Sequence, residues 1–290
     1  MAIDSIAALL SGAAEAELPL WEYILLEDLR EGQSSREDSL RQMRRLWDAM
    51  KSSGDAYRPS ERSHSGLSGG DSAKLQAAME NGLLYGGTLL QEIIAEALKV
   101  SECNACMKRI VAAPTAGSCG VLPAVLLPLL RRGEEEEEIL HALYVAAGFG
   151  QVIATRASIS GAEGGCQAEV GAASAMAAAA LTQLRGGTPA MCANACAMAL
   201  SNLMGLVCDP VAGLVEVPCV HRNVVGAVNA LSCADMALAG IECRIPADEV
   251  IDAMAEVGAT MDDSLRETGA GGLAATPTGK AIAARLAEEQ

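Results

Sequence analysis

The sequence predicts an all-α protein, a compact bundle of helices around a site built from inter-helix loops. Apolar residues make up 51% of the 290 residues but aromatic ones only 2%, so the core must be built from Ala, Leu, Val, Ile and Met. Ala, Leu and Met are strong helix formers. Almost no segment shows the alternating pattern of a half-buried strand.

The elements follow in order. Leu18 to Met50 reads as two helices joined by a polar turn. Ser35 with Asp38 three residues on resembles a capping box, and Leu40, Met43, Trp47 and Met50 recur at helical spacing. Tyr57 to Gly70 is rich in Ser and Gly and reads as an ordered loop. Asp71 to Met107 is one long helix or two, broken near Gly86 and Gly87, with Leu90, Ile93, Ile94, Ala97 and Leu98 on the apolar face. Ala113 to Gly120 is a loop. Val121 to Leu130 is a short helix with Pro123 in its first turn, where a missing N–H costs little. Five carboxylates, Glu134 to Glu138, precede Ile139 and suit a solvated helix N-terminus. Val170 to Leu184 and Ala190 to Leu206 read as small-residue helices separated by Gly186-Gly187-Thr188-Pro189. Val224 to Ala239 and Val250 to Val257 complete the set, with Pro246 before the last and Gly258 ending it. No internal repeat or clean boundary is visible. The expected organisation is one domain over 1–290, with N-terminal helices in 1–56 and the functional core in 57–290.

A formal net charge of −16 argues against a nucleic-acid partner, which needs a basic stripe, and against an anionic membrane surface. The uncharged stretches Ile110 to Leu130 and Gly186 to Cys208 approach membrane-span length. Their internal prolines and asparagines, without flanking aromatics or a basic side, read instead as core helix or site segments. Met1 to Leu10 lacks a basic region and is not expected to be a secretory signal. Ten cysteines without such a signal point to a reducing cytoplasm and free thiols or metal ligands.

Three of those cysteines stand apart. Cys166 ends Gly161-Ala162-Glu163-Gly164-Gly165-Cys166. Cys208 opens Cys208-Asp209-Pro210, and Cys219 lies in Val217-Pro218-Cys219-Val220. Each falls at a helix break, beside glycines that allow close approach or prolines that stiffen the chain. Thiolates are soft ligands for iron or zinc, and three of them would leave one position of a four-position centre open, as catalytic sites require. Buried apolar thiols would give the same spacing, and the residues alone leave both readings open. Cys103 and Cys106 form a CxxC with no second pair to complete a zinc site. Cys192 and Cys196, four apart on an Ala-rich helix, suit core packing, while Cys119 suits a site lining.

Other candidates for chemistry are few. His64 lies in the Ser/Gly loop, and His221 is beside Cys219 with Arg222 and Asn223; both are candidate catalytic groups. His141 reads as structural. Lys74, near the Gly-rich loop, is better read as a carboxylate-binding or solvent-facing group than as a pyridoxal phosphate anchor, since such enzymes are usually α/β.

Four segments, Ser65 to Asp71, Ala113 to Gly120, Gly161 to Glu169 and Cys208 to Asn223, carry a resemblance that runs over nearly the whole chain. They resemble the iron–sulfur-dependent L-serine dehydratase α chain. The resemblance implies a 4Fe–4S cluster held by Cys166, Cys208 and Cys219. It also implies a lyase that converts L-serine to pyruvate and ammonia without pyridoxal phosphate, within amino-acid catabolism. A separate β chain with an ACT-like region would complete a hetero-oligomer. Ser65, Lys74, Thr115, Ser118, Arg222 and Asn223 are the expected substrate-binding residues. Some single-chain relatives end in a cysteine that caps the cluster; this sequence ends Leu286-Ala287-Glu288-Glu289-Gln290, so water, substrate or a partner group is expected on the free iron. The other readings are a cluster-dependent cysteine desulfidase and a non-enzymatic iron–sulfur redox sensor.

Overall fold

The computed structural model describes residues 4–32 and 34–289. Among them are thirteen α-helices and no strand beyond one isolated bridge: α1 (Ile6–Glu15), α2 (Leu20–Gly32), α3 (Arg36–Asp55), α4 (Asp71–Glu80), α5 (Thr88–Ala105), α6 (Val121–Arg131), α7 (Glu136–Arg156), α8 (Gly161–Gly164), α9 (Ala172–Leu184), α10 (Pro189–Asn202), α11 (Cys219–Leu238), α12 (Ala247–Thr260) and α13 (Pro277–Glu288). The all-α expectation is met.

Helix α9 is the axis of the fold. It packs against α6, α7, α10 and α11, and every residue from Ala172 to Thr182 is buried. A helix that is apolar all round must lie inside a protein, and its alanines let four neighbours approach closely. Around it the packing is equally close: a Cβ at Gly226 of α11 would stand 2.8 Å from Val170 Cγ1, in the turn that leads into α9, and 3.0 Å from Val121 Cγ2 of α6. The polar groups in this interior are paired, as burial demands. Ser174 Oγ donates to the Gly226 carbonyl (2.8 Å), and Asn229 Nδ2 donates to Ser174 Oγ (3.0 Å) and to the Ala199 carbonyl (2.9 Å), which ties α9, α10 and α11 together.

The N-terminal helices share this core. Ile6, Leu9, Leu20, Ile24, Trp47 and Met50 lie in one hydrophobic cluster with Phe149 of α7. Helix α1 begins on the Asp248 carboxylate, which accepts from the Ile6 and Ala7 amides at 2.8 and 3.0 Å, a negative group where free N–H donors and the helix dipole favour one. His141 has a structural place, stacked on Trp21 with ring centres 3.6 Å apart. The carboxylate run does start a helix, with Glu135 as N-cap of α7. Glu136 goes further, accepting from Trp47 Nε1 (2.9 Å) and pairing with Lys51.

Several local readings hold. Ser35 Oγ accepts from the Asp38 amide at 3.1 Å. Pro123 sits in the first turn of α6, and Pro189 is the first residue of α10 with Thr188 as its cap. Asp71 to Met107 is two helices, separated by Asn81 to Gly87. Neither uncharged stretch is one continuous helix: the first is a loop followed by α6, and the second is α10 followed by a loop. By length and composition, one helix among the described residues could cross a membrane, α7. Most of its apolar residues are buried, in a helix packed against α2, α3 and α9.

Helix α11 starts at Cys219, five residues before the expected Val224, because its first turn is polar and breaks the apolar pattern. Helices α1 and α13 went unread. Before α9 the chain makes one π-helical turn, Gln167–Gly171, a form common at functional sites.

Candidate active site

Four loop segments converge at one end of α9 and α11. The first is the turn Thr115 to Gly120. Thr115 and Ser118 cap each other, with hydroxyls 3.1 Å apart. The turn is bolted to α11 by buried Asn223, whose Nδ2 donates to the Gly117 carbonyl (2.7 Å) and the Cys219 carbonyl (3.0 Å) while Oδ1 accepts from the Gly120 amide (2.8 Å). One side chain thus fixes the turn relative to Cys219.

The second segment carries Cys166. Gly165 before it has φ +73°, a conformation that glycine adopts without strain, and this turns the chain from α8 into the π turn. Glu169 lies one turn beyond. Its Oε1 accepts from Thr115 Oγ1 at 2.7 Å, and its Oε2 is 3.8 Å from the Cys208 thiol. Burial, first, and nearby Glu267 raise its carboxyl above the ordinary range, against the hydrogen bond from Thr115. Gly161 makes room for this contact: a Cβ there would stand 2.8 Å from Glu169 Oε2 and 3.0 Å from Cys208 Sγ.

The third segment carries Cys208, whose amide donates to the Leu265 carbonyl (2.8 Å) and whose carbonyl accepts from the Glu267 amide (2.7 Å). This is the isolated bridge Cys208–Arg266. The fourth is the first turn of α11. There Arg222 Nη1 donates to the Val207 carbonyl (2.7 Å), and Nη2 lies 2.8 Å from Asp209 Oδ1.

The structure therefore gathers Thr115, Ser118, Cys166, Cys208, Cys219, Arg222 and Asn223. Cys166 and Cys208 pack together with Val170. Burial pushes the Cys166 thiol up to about 11, although the adjacent Arg222 guanidinium draws it down. Burial and then Cys166 push Cys219 up to about 12. Burial and then Glu169 push Cys208 higher still. The bare thiols hold their protons; a bound cation would displace them. His221 is exposed in the first turn of α11, beside Cys219.

Other candidates lie elsewhere. The Lys74 side chain is 74% exposed and pairs with Asp71 at 2.7 Å. His64 and Ser65 line a cavity of about 320 Å³ with Met107, Leu214, Glu216 and Leu286. Ser65 Oγ donates to Glu216 Oε1 at 2.8 Å. Cys192 and Cys196 are fully buried in the main core, and Cys119 is buried at the end of the Thr115 turn. All ten cysteines are free.

Sequence reasoning missed Glu169, Asp209 and Glu216. Each lies inside one of the four segments above, but only the fold shows that Glu169 meets Thr115 and Cys208, that Asp209 meets Arg222 and that Glu216 is buried against Ser63 and Ser65.

Among the described residues, no three His, Cys, Asp or Glu side chains form a group that would hold a metal ion. A single zinc or iron ion needs its donors within about 2.3 Å of one point. Three thiols on neighbouring loops are soft donors of the chemical kind that an iron–sulfur centre takes. The donor set fits such a group.

The fold and the site define a helical protein that gathers buried thiols and several carboxylates from loops at one end of an alanine-rich core. Residues 15–274 match the family model of the serine dehydratase alpha chain. The chain is 47% identical over 273 residues to a probable L-serine dehydratase, alpha chain, of Bacillus subtilis, covering 94% of this chain and 91% of the relative. It is 40% identical to the L-serine dehydratase, alpha chain, of Peptoniphilus asaccharolyticus, over 92% of each. It is 48% identical to the L-serine dehydratase TdcG of Escherichia coli over 61% of this chain and 40% of that longer one. The chain belongs to the serine dehydratase alpha-chain family.

Proposed function

We propose that this chain is the α chain of an enzyme that dehydrates and deaminates L-serine to pyruvate and ammonia, and that Cys166, Cys208 and Cys219 hold a 4Fe–4S cluster. The observation that carries the reading is the gathering of these three thiols around the Glu169 carboxylate and the Thr115–Ser118 turn, in a chain of this family.

Serine is a reluctant substrate. Its α-proton is weakly acidic, and hydroxide leaves poorly. When bound, the cluster supplies a Lewis-acidic iron for the leaving hydroxyl. The protein supplies the rest. In the Thr115–Gly120 turn, fixed by Asn223, the Ala116 and Gly117 N–H groups are the ones offered to the serine carboxylate, since the Thr115, Ser118, Cys119 and Gly120 amides donate within the protein. Ser118, wholly buried, shapes that turn, while half-buried Thr115 borders the substrate. Arg222, held by Asp209, sets positive charge beside Cys166 and lowers the cost of its thiolate. Glu169 Oε2 accepts a long hydrogen bond from the Cys208 thiol in the metal-free chain. Exposed His221 is the candidate proton carrier at the site and His64 the more remote one. Loss of water leaves aminoacrylate, which hydrolyses to pyruvate and ammonia. Lys74, on the surface with Asp71, has no part in this reading, nor does pyridoxal phosphate.

The names of the relatives point to a second, β chain. We place an ACT-like region on that chain and the active form in a hetero-oligomer. Ten free thiols suit the cytoplasm, where they stay reduced.

The test is anaerobic assay of the iron- and sulfide-loaded chain with L-serine, L-threonine and L-cysteine, with and without the β chain. The reading expects pyruvate from L-serine, little turnover by this chain alone, loss of activity in air and indifference to pyridoxal phosphate. Activity that survives air and requires pyridoxal phosphate defeats it. Sulfide release from cysteine outrunning serine turnover would move the assignment to a desulfidase.

A further inference from the structure

Glu216 is a buried carboxylate, 6% exposed, between the two cysteines of one loop. Its two oxygens take two hydroxyls from a loop about 150 residues earlier: Ser63 Oγ donates to Oε2 at 2.6 Å and Ser65 Oγ to Oε1 at 2.8 Å. The donors are pre-arranged. Ser63 Oγ accepts from the Ser68 amide (3.2 Å), Ser65 Oγ accepts from the Leu67 amide (3.1 Å), and the Ser63 amide donates to the Ser68 carbonyl (2.9 Å). Arg285 of α13 reaches the Ser65 carbonyl at 3.2 Å.

The other face of Glu216 is its backbone. Its carbonyl accepts from the Val220 amide at 2.9 Å, the bond that opens α11, and its amide donates to the Leu214 carbonyl at 2.7 Å. The Val211 amide closes the same loop onto the Val217 carbonyl at 2.8 Å. The residue that starts the helix turn bearing Cys219, Arg222 and Asn223 is thus the one whose side chain is clamped. A hydrogen bond to a charged group is stronger than a neutral one, and a buried carboxylate that loses both partners bears its full desolvation cost.

We propose that Glu216, through Ser63 and Ser65, is a positioning residue that fixes the Cys208–Cys219 loop and the first turn of α11, so that the Ser/Gly-rich segment sets the placement of the Cys219 thiol. As a device of the cluster site it rests on the reading given above; as a statement about the loop it is tested without iron.

The test is cysteine-by-cysteine alkylation of the full, metal-free chain under reducing anaerobic conditions, read by mass spectrometry, beside iron uptake on reconstitution. In Glu216→Ala the labelling rate of Cys219 should rise about tenfold or more, as loss of two hydrogen bonds to a charged group implies, while core Cys192 and Cys196 keep their rates and iron uptake falls. Glu216→Gln, which can still bond both hydroxyls, should return Cys219 towards the wild-type rate. The double variant Ser63→Ala, Ser65→Ala should reproduce the loosened loop if Glu216→Ala does not fold. An unchanged Cys219 rate in the variants, or all thiols rising together, overturns the positioning role. A wild-type chain that takes up no iron overturns the cluster reading instead, and the labelling pattern then decides the positioning by itself.

Discussion

Arg222 and Asp209 form a buried ion pair, Nη2 to Oδ1 2.8 Å, with side chains 14% and 3% exposed. It joins the residue after Cys208 to the helix turn that begins at Cys219. Asp209 Oδ2 is also committed, accepting from the Leu273 amide at 2.7 Å. The pair therefore couples two of the three thiol-bearing segments to the chain that leads into α13.

Asp209→Asn keeps the bond to Leu273 and removes the charge opposite Arg222. A largely buried guanidinium that loses its ion partner and keeps only the Val207 carbonyl costs about 3 kcal/mol, so the melting temperature should fall by about 6 °C, measured by circular dichroism. Melting within a degree of wild type would show that the pair is solvated and does not hold the site.

Cys166→Ala, Cys208→Ala and Cys219→Ala should each abolish loading of iron and sulfide, while Cys192→Ala should load normally. Elemental analysis after anaerobic reconstitution reads the difference. Contents near wild type in all three variants would remove the ligand assignment.

Asn223→Ala deletes the two hydrogen bonds that fix the Thr115–Gly120 turn on α11 and a third to the Cys219 carbonyl within the helix, and strands buried backbone groups. The expected loss is about 2–4 kcal/mol, read as a lower midpoint in urea. Serine turnover should fall further than stability alone explains, since the turn supplies the donors for substrate. An equal midpoint and equal KM would refute the role of the turn.

Burial pushes the Cys119 and Cys192 thiols up to about 12, from an ordinary value near 9 in the unfolded chain. The folded chain thus holds protons that the unfolded chain releases between about pH 9 and 12. Stability conferred by these protons is complete below pH 9 and is lost as pH rises through that window. Urea midpoints should fall from pH 8 to pH 10, and Cys192→Ala should show a shallower fall. A flat profile would place these thiols in contact with water.

Gly226→Ala tests the close packing of the core. The new Cβ would meet Val170 and Val121 at about 3 Å, and such overpacking costs about 1–3 kcal/mol. Because Val170 packs with Cys166 and Cys208, iron loading should weaken as well. A neutral effect on melting would contradict the packing described for α11 against α6 and the π turn.

The helical class was legible because the composition leaves no other core: few aromatics, many alanines. Ser35, Pro123 and Pro189 marked their helix starts because caps and prolines act locally. The start of α11 was misread because Cys219 to Asn223 face a loop-built site rather than a continuous apolar stripe. For the same reason Val170 was placed in a helix that begins at Ala172, after a π turn. The motif cysteines were visible as residues but not as neighbours, since their segments, far apart in sequence, are brought together by long-range contacts such as Glu169 with Cys208, the Gln167 amide with the Leu206 carbonyl, and Arg222 with Asp209. Glu169 and Glu216 were unreadable for the complementary reason. A glutamate signals exposure unless the fold surrounds it, and their partners lie 54 and about 150 residues away.

The most direct test of the central claim is anaerobic reconstitution of the chain, followed by iron and sulfide analysis and a serine-to-pyruvate assay on the same sample with the β chain added. The account predicts about four irons and four sulfides per chain, a brown colour, and pyruvate formed in proportion to the iron loaded. A colourless, iron-free chain that still folds would contradict it and leave Cys166, Cys208 and Cys219 as core thiols.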